Sequence, residues 1–398
     1  MSVTDITQST SPRTSVINDP RVRGVAYQVI LVVVLAFLVY EATTNAIENL
    51  RRARIASGFD FLSTTAGFDV NQTLIPFSSS GGSTYGDAFI VGLLNTLLVA
   101  AIGIVLATIL GFIVGVARLS SNWMVAKLAK VYVEAIRNVP LLLQLFIWYN
   151  AVLKALPNPR QSYEVGGGVF LNNRGLFAPQ PLLEPGAGLV IGAVVVGLIG
   201  SFVFRAWARR RQEATGQQAP IGTVALALIV GLPLLVFLLT GRPIAFSYPE
   251  LRGFNFAGGV QIFPEFVALL VGLSTYTAAF IAEIVRAGIL AVSRGQTEAA
   301  HALGLREGPT LRLVIIPQAM RVIVPPLTSQ YLNLTKNSSL AVAIGYPDLA
   351  QVFMGTVLNQ TGQAVEVIAI TMAVYLAISL ITSLVMNLYN RRAAIVER

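Results

Sequence analysis

The chain has 398 residues, 55% of them hydrophobic and only 12% charged, about half the charged share of an average soluble domain, so water cannot be its only solvent. A net charge of +9 would raise nucleic-acid binding in a soluble protein, but here Lys and Arg lie mostly in short loops beside apolar runs, where they set membrane topology, and no nucleic acid is expected as a partner. The absence of cysteine excludes disulfides and thiolate chemistry, and the single histidine, His301, makes a His-based metal site unsupported.

Residues 1–26 read as a polar cytoplasmic tail, longer and less purely basic than the start of a secretory signal. The first apolar run, 27–43, is a retained membrane helix of marginal length, because a span takes about 20 apolar residues. Residues 44–87 are a polar periplasmic loop. A membrane domain follows over 88–390, with apolar runs at 88–117, 131–153, 188–204, 221–240, 264–291, 319–344 and 365–388. In hydrocarbon each backbone N–H and C=O must be satisfied within its own segment, so these runs are helices. The expected fold class is all-α, a polytopic membrane protein with about eight transmembrane helices. The Gly-, Asn- and Pro-rich segment 157–185 reads as an outside loop without a core of its own, 206–220 as a short solvated inside linker, and 391–398 as a cytoplasmic tail. With the N-terminus inside, 18 Lys and Arg residues fall in inside segments and 8 outside, in keeping with the positive-inside rule. The cluster Arg51, Arg52 and Arg54 runs against it.

The most informative segment joins the sixth and seventh spans, over 292–318. It contains TEAAHALG, a helical core closed by Gly304, which suits a C-cap because glycine enters the left-handed conformation without a Cβ penalty. A second helical turn over 309–316 then meets Pro317, predicting two short helices at an angle. Ala299, Ala300 and Ala302 offer a smooth face for another protein, and Glu298 a charge near the helix start. His301 reads as an exposed polar position.

Glu298-Ala299-Ala300, Gly304 six residues after the glutamate, then Val314, Ile316 and Pro317, resemble the EAA loop of ABC-importer permeases, with conservative apolar changes at Val314 and Ile316. The flanking segments are similar to the polar amino-acid subfamily: VEAIRNVPLLLQLFIWY at 133–149, LSTYTAAFIAEIVRAGI at 273–289 and TKNSSLAVAIGYPDL at 335–349. The resemblance is greatest to the Q-type subunit of general L-amino-acid transporters. It implies a type I importer core formed by spans two, three, six, seven and eight, with span one and the helix pair at about 188–240 as additions. It also implies that Glu298, Ala299, Ala300, Gly304 and Pro317 couple to a separate ATP-binding subunit dimer. That dimer binds ATP and Mg, while this chain carries no cofactor. The implied partners further include a second permease subunit, either a copy or a related chain, a periplasmic amino-acid-binding protein and membrane lipid. The location implied is a bacterial inner membrane. No Gly-x-x-x-x-Gly-Lys-Ser/Thr loop occurs in the sequence, so no catalytic residue is expected here.

Polar groups within spans are functional suspects: Asn95, Glu134, Arg137, Asn138, Gln144, Asn150, Glu283, Gln330, Asn333, Lys336, Asn337, Ser338 and Ser339. Several could merely bind neighbouring helices together. For a substrate path, Gln144, Glu283, Lys336, Asn337 and Ser338 are the candidates, since an amino acid needs an acidic or carbonyl partner and several donors. Glu283 with Lys336, and Glu134 with Arg137, are expected as ion pairs. Pro325-Pro326 is expected to break or kink its helix. The rival reading is an ion-gradient-driven secondary transporter or channel, whose inverted repeat and deep paired carboxylates are not visible.

Overall fold

Glycines spaced by multiples of four along an apolar helix let a second helix approach to backbone distance, and such a pair organises the protein. In the computed structural model, which describes residues 20–52 and 58–393, the pair is α2 (Tyr85–Ala117) and α8 (Pro264–Leu290). A β-carbon added at Gly111 would stand 2.6 Å from the Cβ of Ile281, and one at Gly115 2.7 Å from that of Val285. These contacts advance together along both helices, so α2 and α8 run parallel. Helix α11 (Ile316–Asn337) is antiparallel to them, with Ile323 on Gly288 of α8 and Leu334 on Gly103 of α2. Val99, Ala107, Leu145, Leu273, Ile281 and Leu334 are buried at this junction.

The third expected span is broken. Helix α3 (Trp123–Asn138) is bent by 106° from α4 (Leu141–Phe146) and the π-helical turn Ile147–Leu153 that prolongs it. Pro140 at the break has no N–H for the carbonyl of Ile136. The Gln144 side chain supplies one instead, donating from Nε2 to the Ile136 carbonyl at 2.8 Å and to that of Val139 at 2.9 Å.

Helix α9 (Arg294–Ala302) leads to α10 (Glu307–Thr310), whose π-helical continuation Leu311–Ile315 runs straight into α11. The second short helix expected over 309–316 is therefore the first part of a long one. Pro317 removes the N–H that would have closed the α-turn onto Leu313, and the ladder widens just before it. Helix α11 is continuous through Pro325 and Pro326, correcting the expected break. A 3-10 helix (Ser338–Ile344), a π-helical segment (Ala350–Val357) and α12 (Leu358–Thr361) connect it to α13 (Ala364–Ala393).

Segment 157–185, expected to be loop, contains strands β1 (Tyr163–Gly166), β2 (Val169–Asn172), β3 (Gly175–Ala178) and β4 (Gln180–Leu183). Strands β5 (Ile244–Ser247), β6 (Glu250–Arg252), β7 (Asn255–Ala257) and β8 (Val260–Ile262) precede α8. The order β1-β2-β3-β8 makes one antiparallel sheet, with β4-β5 and β6-β7 as separate pairs. Gly175 turns β2 into β3 at φ +123°, and a Cβ there would meet the Ile262 carbonyl at 2.2 Å. Phe177 is buried against Phe256, so the segment does have a small core. Between β4 and β5 stands a helical hairpin, α5 (Ala187–Thr215) against α6 (Ile221–Leu226), the π-helical turn Ala227–Gly231 and α7 (Leu232–Leu239). Its extensive contacts are internal.

Helix α1 (Pro20–Arg52) overruns the expected 27–43 span at both ends, and its candidate span has no buried residue. Residues 1–19 of the expected first tail, residues 394–398 of the second, and Arg54 lie outside the described residues. Residues 58–84, part of the expected loop 44–87, are irregular except for a 3-10 turn at Asp60–Ser63 and a single antiparallel bridge of Thr65 to Thr84, yet they are docked. Phe61 is buried with Leu349, Phe353, Val357 and Val367, Gly58 N–H donates to Glu366 at 2.7 Å, and Asn95 Nδ2 donates to the Gln72 carbonyl at 2.9 Å. The 33 residues of α2 extend about 50 Å at 1.5 Å per residue against a hydrocarbon core of about 30 Å, and this segment packs beside the surplus.

Replacing Gly111 with Val should overpack the α2–α8 contact, at a cost of about 1–3 kcal/mol. Thermal unfolding in detergent should show a midpoint several degrees below the parent, whereas Gly192→Val, which has nothing within 4 Å of the added atom, should leave it unchanged.

Candidate functional site

Helix α9 hangs between α8 and the continuous α10–α11 at the end of the bundle opposite the strands. Residues 291–293 connect it to α8, and residues 303–306 to α10. Ala300 is buried, with only 3% of its surface exposed, while Glu298, Ala299, His301 and Ala302 are exposed. Gly304 has φ +77° and lets the chain reverse, with Leu305 N–H donating to the Ala300 carbonyl at 3.1 Å. The reversal leaves Leu303 at the tip, 83% exposed. A largely exposed leucine beside small alanines makes an apolar knob on a smooth face, a shape suited to a protein groove.

The expected ion pairs re-sort themselves. Glu283 of α8 is bound by Arg118, which follows α2, and by Arg286, whose Nη2 and Nε lie 2.5 and 3.1 Å from Oε1. Arg137 Nη1, at the end of α3, lies 3.9 Å from Oε2 and its guanidinium 5.1 Å from the centre of the Phe280 ring. Glu283 thus gathers guanidinium groups from three elements and does not meet Lys336. Glu134 pairs with Lys130 at 3.5 Å instead of with Arg137. Arg286 was legible as an i, i+3 partner of Glu283. Arg118, 165 residues away, had no such signal. A further tie, also unforeseen, joins Tyr149 to Glu265 at 2.6 Å and Lys154 to the same carboxylate at 3.8 Å.

The remaining candidates divide. Gln144 is committed to the α3–α4 bend, and Ser338 is fully buried with its hydroxyl donated to the Thr335 carbonyl at 2.8 Å. Asn337 makes no side-chain hydrogen bond among the described residues. Lys336 makes neither an ion pair nor a side-chain hydrogen bond among them, and lines a cavity of about 370 Å³ with Ser339, Ala350, Met354, Thr371, Met372, Tyr375, Leu376 and Ser379. Leu334, two residues earlier, packs on Gly103, which is roughly 20 Å or more from either end of α2. The α13 residues of the cavity, Thr371 to Ser379, lie around the middle of that helix, clear of its first and last turns. Both markers place Lys336 near mid-depth, where a lysine costs about 2.5–3.5 kcal/mol on insertion scales. Behind the cavity, Tyr375 donates to the buried Asp348 at 3.0 Å, a carboxylate that also accepts from the Gln351 N–H at 2.8 Å and so caps the following helical segment.

Glu283→Gln should leave three guanidinium groups around a neutral amide and destabilise the bundle by about 1–3 kcal/mol, the upper range for a buried pair being reduced by partial exposure. Thermal unfolding and membrane yield should both fall. A substrate-contacting role alone would leave both unchanged and alter only the concentration dependence of uptake.

Residues 103–395 match the family described as binding-protein-dependent transport system inner membrane component. The chain is 52% identical over 384 residues to the general L-amino acid transport system permease protein AapQ of Rhizobium johnstonii, covering 96% of this chain and 95% of that one. It is 54% identical over 380 residues to the putative amino-acid ABC transporter permease protein YhdX of Escherichia coli K12, with 96% of each chain covered. A glutamate/glutamine/aspartate/asparagine transport system permease protein of Rhodobacter capsulatus, BztB, is 45% identical over 414 residues, again with 96% of each chain covered. With the matched residues taking in α8, α9, α11 and α13, the chain belongs to the family of inner-membrane components of binding-protein-dependent transport systems.

Proposed function

We propose that this chain is the permease subunit of an ATP-binding cassette importer for amino acids in a bacterial inner membrane. The observation that carries the reading is α9, a short exposed helix slung between α8 and the continuous α10–α11, the two helices that pack on each other through Gly288 and Ile323. A push on α9 reaches both. The amino-acid cargo is supported by the names of the relatives that match nearly the whole chain.

In this reading Leu303, Ala299 and Ala302 seat in a groove of an ATP-binding subunit, with Glu298 at the rim and Gly304 setting the reversal that presents them. Two such subunits bind ATP and Mg and close on each other. Buried Ala300 fastens α9 to its own chain, and Pro317 marks where the ladder regains α-helical spacing. A second permease chain completes the path, and a periplasmic binding protein docks at the strand-bearing end. The α8–α11 contact turns movement of α9 into rearrangement of the helices around Lys336 and Asn337.

Gly304→Arg places a bulky side chain beside the docking face and a non-glycine residue in the left-handed region, at about 1–2 kcal/mol. Reconstituted with its partners, this variant should insert normally and allow ATP hydrolysis while uptake falls about tenfold or more. Full uptake would contradict the coupling role, and gradient-driven uptake by the purified chain alone in liposomes would favour the secondary-transporter reading.

A further inference from the structure

We propose that the inner end of α5 is a binding site for an anionic phospholipid, whose phosphate is held by Arg209, Arg210 and Arg211 beside the ring of Trp207. The site belongs to the inserted hairpin; it goes beyond the permease reading and does not depend on the cargo.

The two legs of the hairpin are unequal. They start level at the strand-bearing end, where a β-carbon at Gly186 would stand 3.5 Å from Thr240 and Pro243. The return leg Ile221–Leu239 has 19 residues and covers about 28 Å at 1.5 Å per residue, close to the hydrocarbon thickness of about 30 Å. The 29 residues of α5 reach about 43 Å. About 15 Å of α5 therefore projects past the hydrocarbon at the end away from the strands, and the first part of the expected 206–220 linker, as far as Thr215, is helix.

This projection carries Arg205, Arg209, Arg210 and Arg211, all exposed, and one acid, Glu213. None of the four arginines makes an ion pair among the described residues. A helix C-terminus carries about half a negative charge, so a surplus of about two positive charges remains after Glu213 and the helix end are counted.

Depth decides what answers that surplus. The rings of Phe204 and Trp207 lie 5.4 Å apart between centres, and the Arg211 guanidinium lies 5.3 Å from the centre of the Trp207 ring. Positions 204, 207 and 211 share one face of the helix, so a stripe passes from phenyl to indole to guanidinium as α5 leaves the hydrocarbon. Indole settles at the level of the headgroups, which places Arg211 among the phosphates. Its Nη2 also donates to Gln217 Oε1 at 3.0 Å, just beyond the reversal at Gly216, φ +71°. The guanidinium is thus held with N–H groups to spare, the planar fork from which phosphate oxygens accept. Only Ala208 is buried among residues 205–215, and the hairpin is tied to the rest of the chain at its other end, by β4 on β5 and β3 on β8. A bound lipid anchors the free end of an arm that is fastened at its base.

The test uses the full chain in phosphatidylcholine nanodiscs containing a minor share of dibrominated phosphatidylglycerol or dibrominated phosphatidylcholine as quencher. Trp123→Phe and Trp148→Phe leave Trp207 as the one emitter of the three indoles. The phosphatidylglycerol should be enriched at Trp207 over the phosphatidylcholine by about fivefold or more, the factor that a single surface arginine contributes. The preference should vanish in Arg209→Gln/Arg210→Gln/Arg211→Gln, return in Arg209→Lys/Arg210→Lys/Arg211→Lys, and survive inorganic phosphate added at the ionic strength of a sodium chloride reference. Equal quenching by the two lipids overturns the proposal, as does a preference that the glutamine variant retains or the lysine variant fails to recover. Loss of the preference to phosphate but not to chloride would make this a site for a soluble anion. Loss on assembly with a second permease chain and the ATPase would give the arginines to a subunit, and either result overturns the assignment to lipid.

Discussion

The structure depends on the near-contact of α2 and α8, where Gly111 and Gly115 let Ile281 and Val285 approach the backbone. In a bilayer lipid tails are as apolar as leucine, so helices gain nothing by merely hiding apolar surface and must associate through close packing. That packing makes α2 and α8 the parallel spine against which α3, α4 and α11 find their places. Gly272 does the same for Leu145 of α4, and Gly288 for Ile323 of α11. Because each of these contacts lies close to contact distance or below it for any larger residue, the bundle moves by shifting whole helices and has little room to deform gradually.

Around that spine most of the polar groups hold elements together. Gln144 replaces the hydrogen bond that Pro140 cannot make, Asn95 ties α2 to Gln72 and Pro347, and Glu283 collects arginines from α3, from α8 and from just past the end of α2. Each satisfies a group that hydrocarbon would leave unpaired. Lys336 is different, because nothing described in the chain satisfies it. The inserted strands and the α5–α7 hairpin stand apart, closed at their base by β4 on β5 and β3 on β8. They leave the α9-bearing end of the bundle clear.

Much of the fold was legible in apolar run lengths, and α9 in TEAAHALG with Gly304 as its stop. The bend in span three was foreshadowed by Pro140, and its repair by a glutamine four residues later. The strands were missed because each has only three or four residues. Their signal was in the turns, in Gly166-Gly167-Gly168 and Asn173-Arg174 between apolar pieces such as Val169-Phe170-Leu171. The partners of Glu283 were hidden for another reason: periodicity relates neighbours on one helix and says nothing about residues 165 positions apart. Lys336 was picked out as a costly charge, but its lack of a partner depends on the placement of three separate elements, which no local pattern encodes.

The account requires α9 and the docked segment 58–84 to face opposite sides of the membrane. Because the chain has no cysteine, single substitutions at Ala302 on α9 and at exposed Ser80 give reporters without background. A membrane-impermeant maleimide should label Ala302→Cys in inside-out vesicles and not in spheroplasts, and Ser80→Cys in spheroplasts and not in inside-out vesicles. Labelling of Ala302→Cys from the outside, or of both positions from one side, would contradict it.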